Sequence, residues 1–288
     1  MIDCPTLLYK YFSPKRVSVI ADAKFRYCPL GAFNDPFEGR PSIKNVVTHE
    51  VLLNSTEAHL EANWRTEYER LPDNIRQAVS ADQYHQSIQE HLRKEGNKIA
   101  ATAGGLKSPI TQQFHEQLDE HLGAACFSEV PDSLLMWAHY AADHTGFVVE
   151  FDSCHPHFHE SRTPSDEFRR IRRVNYREAR PTKTMIESDG ARVYLVKSGH
   201  WAYEREWRIF RSLKDAHTVL PDSPHKVHLF EFPRESVKSI ILGARIAGGI
   251  VDALKKSLST SSEYGSVSIK RAVPDEHHFL LQIVEQAA

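Results

Sequence analysis

Short segments rich in aromatic and β-branched residues, separated by turn-forming residues, recur along the chain and predict β-strands. They cover residues 7–12, 25–30, 124–128, 147–152, 172–176, 203–210, 227–232, 237–242 and 267–271. Helices are predicted from Ser13-Pro14 to about Ala23, after Asp132 or Ser133 as far as Ala141, and over 249–258. Because strands follow one another as in hairpins rather than through crossover helices, we expect a mostly antiparallel α+β fold.

Residues 45–122 differ from this pattern, since Glu, Gln, His, Ala, Leu and Arg dominate there. The segment predicts two to four surface helices inserted into one α+β domain that spans residues 1–288. Leu52, Leu60, Trp64 and Tyr68 have the spacing of one buried helical stripe. The insertion is either a gate over a cleft or a helical layer that covers one face of the sheet.

Composition excludes several classes of protein. The 36 basic and 38 acidic residues give a formal net charge of -2, so nothing draws the whole chain to nucleic acid or to an anionic membrane. No apolar run approaches the roughly 18–20 residues of a spanning helix, and the first residues lack the pattern of a signal peptide. The four scattered cysteines argue against a disulfide framework. We therefore expect a cytoplasmic protein with no membrane partner.

Residues 201–210, WAYEREWRIF, are the most informative segment for function, because acidic, basic and aromatic residues alternate there. In a strand, Glu204, Glu206 and Arg208 would project from one face, with same-face Cα atoms roughly 6.5–7 Å apart. Two carboxylates and a guanidinium at that spacing would shift one another's pKa values and suit a site that stabilises a cation. The alternative is an ion pair on a solvated edge strand.

Two further segments hold candidate ligand contacts. The corner at residues 34–38, NDPFE, offers Asn34 and Asp35 on a turn made rigid by proline, although an isolated N-D-P often forms only an Asx-turn. Trp137 and Tyr140 share a helix face and form either a wall for a planar ring or part of the core. Histidines at 155, 157 and 159 flank a proline and lack partners at metal-site spacing, so no metal is expected.

Six motifs in order resemble the bacterial domain-of-unknown-function family 2971, whose activity is not settled. They are LYKY (8–11), FNDPFE (33–38), CFS (126–128), WAHY (137–140), residues 146–152 and YEREWR (203–208), and residues 238–244 fit as well. More remotely, the chain resembles the ADP-ribosyltransferase fold, which implies a split-sheet core. Tyr9, Lys10 and Tyr11 stand at the first motif of that fold, where such enzymes carry His or Arg. Ser128 stands at the second motif, and Glu204-Arg205-Glu206 at the third.

This second resemblance implies an enzyme that transfers ADP-ribose from NAD to an unknown protein or nucleic-acid acceptor, as a toxin or a phage-defence effector does. Glu206 would stabilise the ribosyl cation and Glu204 would act as general base. Ser128 would orient Glu206, while Trp137 or Tyr140 would pack the departing ring. The remaining NAD contacts are expected from Tyr9, Lys10, Tyr11, Asn34, Asp35 and Arg208. The alternative is a non-catalytic ligand-binding or sensor module on the same fold.

Overall fold

The computed structural model describes residues 4–40, 42–43, 63–91, 94, 107–164, 166–180, 182–183, 190–221 and 225–286. The chain divides into two compact units. The first comprises residues 1–40, 116–180 and 190–288, and the second comprises residues 41–115 and 181–189. In the described ranges no helix has the length and apolar character needed to cross a membrane.

The strands of the described residues are β1 (Leu7–Phe12), β2 (Lys24–Pro29), β3 (Ser42–Ile43), β4 (Leu122–Ser128), β5 (Phe147–Asp152), β6 (Arg172–Arg173), β7 (Asn175–Arg177), β8 (Thr182–Lys183), β9 (Val196–Ser198), β10 (Glu206–Ser212), β11 (Thr218–Leu220), β12 (Val227–Glu231), β13 (Val237–Leu242), β14 (Ser268–Pro274) and β15 (Leu281–Glu285). The helices are α1 (Ser18–Asp22), α2 (Asp73–Ala78), α3 (Lys107–His121), α4 (Leu134–Tyr140) and α5 (Gly248–Ser259). Residues 63–69 and 81–91 are also helical.

Among the described residues, eleven strands form one mixed sheet, with the order β11-β12-β2-β4-β1-β5-β13-β14-β15 and with β10 and β6 branching from β4. Most neighbours are antiparallel, whereas β13 and β14 are parallel. The protein is therefore α+β, as the sequence predicts. The finer prediction of an ADP-ribosyltransferase-like core stays a prediction.

The sheet opens at β4, which has three partners. Strand β10 pairs along the whole of β4, from Glu206 with Ser128 to Ser212 with Leu122. On its other edge, within the described ranges, β4 pairs with β2 only at its first residues and with β1 only where Tyr9 meets Ser128. A gap is left between β1 and β2 beside the middle of β4.

The core of the first unit follows the alternation of the strands. Leu8 and Phe12 of β1 join an aromatic-rich cluster with Phe127, Trp207 and Leu254 of α5. The intervening Tyr9 and Tyr11 face a second cluster that contains Met136 and Trp137 of α4, together with Val148 and Ile241. The two faces of β1 thus meet different layers, and α4 packs on the face that carries the tyrosines.

Several sequence predictions match these elements closely. The strands at 147–152 and 237–242 have the predicted bounds. Helix α4 begins after Ser133, whose hydroxyl accepts a hydrogen bond from the backbone N–H of Met136. The predicted strand at 172–176 is instead two short strands, β6 and β7, in different sheets.

The prediction of one strand over 203–210 is wrong. Residues Gly199–Glu204 form a 3₁₀ helix, and Arg205 has φ +43° and ψ +53°, in the left-handed region. Strand β10 begins only at Glu206. The left-handed residue interrupts the extended backbone, so Glu204 lies outside the strand.

The described part of the second unit is mainly helical. Trp64 stacks on His85 with ring centroids 4.5 Å apart, and Tyr68 contacts Tyr84 at 5.5 Å, so the helical residues 63–69 and 81–91 pack together. The other members of the predicted stripe, at positions 52 and 60, lie outside the described residues. The predicted insertion at 45–122 stays a prediction.

Candidate functional site

A cavity of about 150 Å³ opens in the first unit at the gap in the sheet. It is lined by β1, β4, α4 and the turn that joins the 3₁₀ helix Gly199–Glu204 to β10. Eight of the residues predicted from the sequence share this lining: Tyr9, Lys10, Tyr11, Asn34, Ser128, Tyr140, Glu204 and Glu206. The opening strand of the chain and the late acidic pair therefore meet at one place.

Glu204 and Glu206 are both 3% exposed, while Arg205 between them is exposed. Their carboxylates converge because the chain turns through the left-handed Arg205, and not because they alternate along a strand. The hydrogen bond from Arg205 N–H to the Ala202 carbonyl, and the one from Glu129 N–H to the Arg205 carbonyl, fix this turn.

The residue that joins the two carboxylates is Lys197 of β9, which sequence reasoning missed. Its Nζ lies 2.5 Å from Glu204 Oε2, 3.0 Å from Glu206 Oε2 and 3.3 Å from Glu38 Oε2. Burial lowers the pKa of Lys197, but the carboxylates of Glu206 and Glu204 outweigh that effect and raise it. The ammonium is therefore a fixed cation among three acids, and the described residues hold no cluster of His, Cys, Asp and Glu suited to a metal ion.

A second cation, Arg208, binds the Glu206 carboxylate from outside the cavity. Its Nε and Nη2 lie 2.7 Å and 2.8 Å from the two Glu206 oxygens, which is a bidentate pair, and its Nη1 donates to the Tyr194 carbonyl. It also pairs with Glu38. Arg208 is fully buried and does not line the cavity. Burial lowers its pKa to about 9, with Asp35 opposing, so it stays cationic at neutral pH.

Glu204 is held differently. The Tyr140 hydroxyl donates to Glu204 Oε1 at 2.6 Å, and Asn34 Nδ2 donates to the Tyr140 hydroxyl at 3.2 Å. Burial, reinforced by the Glu204 carboxylate, raises the pKa of Tyr140, so the phenol keeps its proton at neutral pH. A chain of donors thus runs from the exposed Asn34 to Glu204.

Burial also raises the pKa of Glu206; Lys197 opposes the rise and Glu204 adds to it. A carboxylate accepts up to about four hydrogen bonds. Glu206 already receives three from Lys197 and Arg208, whereas Glu204 receives two from Lys197 and Tyr140. Glu204 therefore has more capacity left for a ligand hydroxyl.

Ser128 does not orient Glu206 as the resemblance implies. Its hydroxyl donates to the backbone carbonyl of Glu204 at 2.7 Å and accepts from the N–H of Val130 at 3.1 Å. Ser128 therefore positions the main chain that carries Glu204. The turn at Arg205 brings the Glu204 carbonyl to β4, within reach of the Ser128 hydroxyl.

The first-motif residues of β1 point to two faces. Tyr9 and Tyr11 lie on the face of α4, and Tyr11 makes an edge contact with Trp137. Lys10 points the other way, yet its Nζ reaches the Cys126 carbonyl at 2.8 Å through the gap in the sheet. The rings of Phe25 and Phe127 lie 5.4 Å and 5.0 Å from this ammonium, and burial lowers its pKa.

Besides Arg208, two predicted residues do not reach the cavity. Trp137 is fully buried, and its indole N–H donates to the Pro131 carbonyl at 2.7 Å, so the ring belongs to the core, and Tyr140 is the wall of the cavity. Asp35 Oδ1 accepts from the backbone N–H of Phe37 at 2.9 Å, which is the Asx-turn alternative. Glu38, at the end of the same corner, is the carboxylate that enters the network.

Of the comparisons with known proteins, the family comparison finds a match, over a segment that includes most of α4, β9 and the first residues of β10. No curated protein and no solved structure matches the chain. The family match runs from Met136 in α4 to Ile209 in β10, and it includes Tyr140, Lys197 and Glu204. Over residues 136–209 the chain resembles the family described as "Protein of unknown function (DUF2971)", as the sequence motifs predict.

Proposed function

We propose that the protein is an ADP-ribosyltransferase-like enzyme that uses NAD as substrate and passes ADP-ribose to an acceptor not yet identified. One observation carries the proposal: Tyr9, Lys10 and Tyr11 line the same cavity as Glu204 and Glu206. These segments are the first and third motifs of the remote resemblance. They are about 190 residues apart in sequence, so their convergence supports a shared site.

The cavity fits one end of NAD. Its volume of about 150 Å³ is below the roughly 300–1,000 Å³ of pockets that enclose drug-sized ligands. Tyr9, Phe33 and Tyr140 offer aromatic surface for the nicotinamide ring, and Glu204 offers an acceptor for a ribose hydroxyl. The lining cations Lys10 and Lys197 are engaged by a carbonyl and by carboxylates. The phosphates would therefore lie outside the cavity.

In the proposed reaction the bond between the nicotinamide nitrogen and the ribose C1′ breaks, and its electron pair leaves with nicotinamide. The ribosyl cation is then captured by a lone pair of the acceptor, whose proton is taken up by a carboxylate and passed to water. Glu204, with free lone pairs, is the residue to bind the ribose hydroxyl and to take this proton. Glu206, locked by Arg208, would contribute a fixed negative charge beside the cation.

This assignment exchanges the roles that the resemblance implies for the two glutamates. Its physical reason is the number of bonds that each carboxylate already accepts. Lys197 would hold both carboxylates at fixed positions before substrate arrives, so that little reorganisation is needed during the reaction.

The test is release of nicotinamide from NAD labelled in the nicotinamide ring, followed by chromatography with and without a cell extract as acceptor. We expect release by the parent protein and a decrease of about 10²–10³-fold in kcat for Glu204→Gln, the range seen when one group that stabilises transition-state charge is lost. Glu263→Gln, at a glutamate outside the cavity, is the matched control. Thermal unfolding checks that both variants are folded. Absence of release by the parent protein would refute the proposal.

A second candidate is a non-catalytic ligand-binding or sensor module. The observation in its favour is that Glu204 and Glu206 are both already paired with Lys197, as in a network built for rigidity. Calorimetric binding of nicotinamide or NAD without nicotinamide release would select this candidate. Growth separates the two as well, because toxicity on overexpression that Glu204→Gln relieves is expected only of an enzyme.

A further inference from the structure

A second cavity, of about 470 Å³, lies on the opposite face of β10. Glu206 and Arg208 of this strand point toward the first site, whereas Arg211, three residues after Arg208, points to the other face. Arg211 lines the second cavity together with Tyr27 of β2 and Phe230 of β12. Its volume lies within the range of pockets that enclose small organic ligands.

One end of this cavity is rich in hydrogen-bond donors. Arg211 is 5% exposed, donates to Glu160 at 2.6 Å, and also donates to the His157 carbonyl at 3.1 Å. Arg169 donates to Asp215 Oδ2 at 2.5 Å, and this oxygen also accepts from Arg162 at 2.8 Å. Three guanidinium groups thus surround Glu160 and Asp215, and Arg169 also lies 3.9 Å from Asp166 Oδ2. At the rim, Glu231 lies 3.4 Å from Lys24 Nζ.

The buried hydroxyl of Tyr27 indicates a ligand, because its proton lacks an acceptor. Tyr27 is 1% exposed, and among the described residues its hydroxyl has no acceptor for its proton, because the neighbouring Arg211 guanidinium can only donate. The buried Nε2 of His157 has no hydrogen-bond partner within the described part of the chain. Burial raises the pKa of Tyr27 and outweighs the opposing effect of Arg211, so the phenol keeps its proton at neutral pH. A buried donor without an acceptor is unfavourable, and an oxygen of a ligand would satisfy it.

The carboxylates that pair with Arg211 and Arg169 are more exposed than the arginines themselves. The side chain of Arg211 is 6% exposed, whereas that of Glu160 is 49% exposed. The same contrast holds for Arg169, at 14%, and Asp215, at 35%. Arg211 and Arg169 are therefore more enclosed than Glu160 and Asp215, which have room to turn toward solvent when another anion arrives, whereas Arg162 is 65% exposed.

The other end of the cavity is apolar. Phe230 and Phe232 are 5% and 4% exposed, and the Tyr27 and Phe230 rings lie 4.5 Å apart. Pro233 completes this wall. A ligand that satisfies both ends carries an oxyanion on a flat, apolar body.

We propose that this cavity binds a small aromatic oxyanion, a phosphate monoester or a carboxylate, whose oxygens contact Arg211 and the Tyr27 hydroxyl. The anionic group displaces Glu160 from Arg211, and the ring rests on Phe230. This site is independent of the proposed function, since none of its residues lines the first cavity.

Calorimetric titration of the full chain with phenyl phosphate and with benzoate tests the proposal, and the better ligand distinguishes phosphate from carboxylate. Inorganic phosphate, which lacks the ring, should bind more weakly than phenyl phosphate. Tyr27→Phe should weaken binding of the better ligand about 10-fold, since it removes a hydrogen bond to a charged acceptor. Glu160→Gln should tighten it several-fold, because the neutral amide competes less well for Arg211.

The matched control is Tyr264→Phe, which removes a hydroxyl that is buried as well but donates to the Ile20 carbonyl at 2.7 Å. It should lower the Tm and leave ligand affinity unchanged, whereas Tyr27→Phe should leave the Tm of the free protein unchanged or raise it. The proposal is overturned if neither aromatic anion binds at about 10 mM, a weak affinity on the usual scale. It also fails if Tyr27→Phe binds like the parent protein, or if Glu160→Gln weakens binding.

Discussion

Replacing Lys197 by methionine removes the ammonium at the centre of the candidate site while keeping a chain of similar length. The side chain is 3% exposed, and three carboxylates lie within 3.3 Å of Nζ. At an effective dielectric constant of about 20, each of these pairs contributes an attraction of roughly 5–7 kcal/mol before desolvation is counted. Losing one partner of a buried ion pair usually destabilises a protein by about 3–5 kcal/mol.

The cost of protonating one carboxylate gives a similar value for the loss of stability. The Lys197→Met variant restores the charge balance if one carboxylate, Glu204 or Glu206, takes up a proton. With an unfolded-state pKa of about 4.3, protonation costs about 4 kcal/mol at pH 7.5 and about 1.5–2 kcal/mol at pH 5.5. We therefore expect Lys197→Met to lower the free energy of unfolding by about 4 kcal/mol at pH 7.5 and by about half of that at pH 5.5.

The sign of the pH effect follows from linkage. In the variant, a carboxylate has a folded-state pKa above its unfolded value, so stability falls as the pH rises above about 4.3. In the parent protein the pKa of Lys197 is raised, so its contribution is fully present below about pH 10 and equal at both assay conditions. The pH dependence of the difference in stability between the variant and the parent protein therefore comes from the carboxylates, whose pKa values rise when the ammonium is lost; that of Glu206 is already raised in the parent protein.

Urea unfolding followed by circular dichroism at both pH values measures the deficit, and an unchanged m-value confirms that the unfolded states are comparable. Lys238→Met is the control, because Lys238 pairs with Asp152 at 3.2 Å while 43% exposed. It should change stability by less than about 1 kcal/mol at either pH. A deficit below 1 kcal/mol for Lys197→Met at pH 7.5, or one equal at the two pH values, would refute the reasoning.

Two further predictions concern single groups. Ser128→Ala should lower the free energy of unfolding by about 1–3 kcal/mol, since it leaves the buried Glu204 carbonyl and the Val130 N–H unpaired; chemical denaturation measures the loss, and a neutral effect would contradict it. Burial, with Arg211 adding, lowers the pKa of His157 to about 4, so its protonation opposes folding as the pH falls from about 6.5 to 4. His157→Leu should recover up to about 3 kcal/mol of the stability lost in that window, and a pH–Tm profile parallel to that of the parent protein would count against this.

The sequence predicts the fold best where local signals agree. Strands such as 147–152 combine β-branched and aromatic residues with flanking turns, and Ser133 gives α4 a clear start. Residues 201–204 carry strand-forming aromatic residues yet form a 3₁₀ helix. Nothing in the sequence marks Arg205 as left-handed, because glycine or asparagine usually signals that conformation. Tertiary context overrides propensity at that position.

The sequence predicts which residues form the candidate site better than it predicts how these residues are arranged. Tyr140, Glu204 and Glu206 are where the motifs place them, on one cavity. Lys197 was missed because a lysine in a short strand is usually exposed, and its burial depends on Glu204 and Glu206, which the left-handed turn brings back to it, and on Glu38, which is distant in sequence. The one local signal was the apolar stretch at residues 193–196 that precedes it.

The left-handed turn at Arg205 has a consequence for how this protein can vary. Because the side chain of Arg205 is exposed, many residues are acceptable there, and glycine would relieve the backbone strain. Proline is excluded, since its ring fixes φ near -65°. Inserting or deleting one residue would separate Glu204 or Glu206 from the Lys197 ammonium. Related chains should therefore keep one residue between the two glutamates, even where that residue is not arginine.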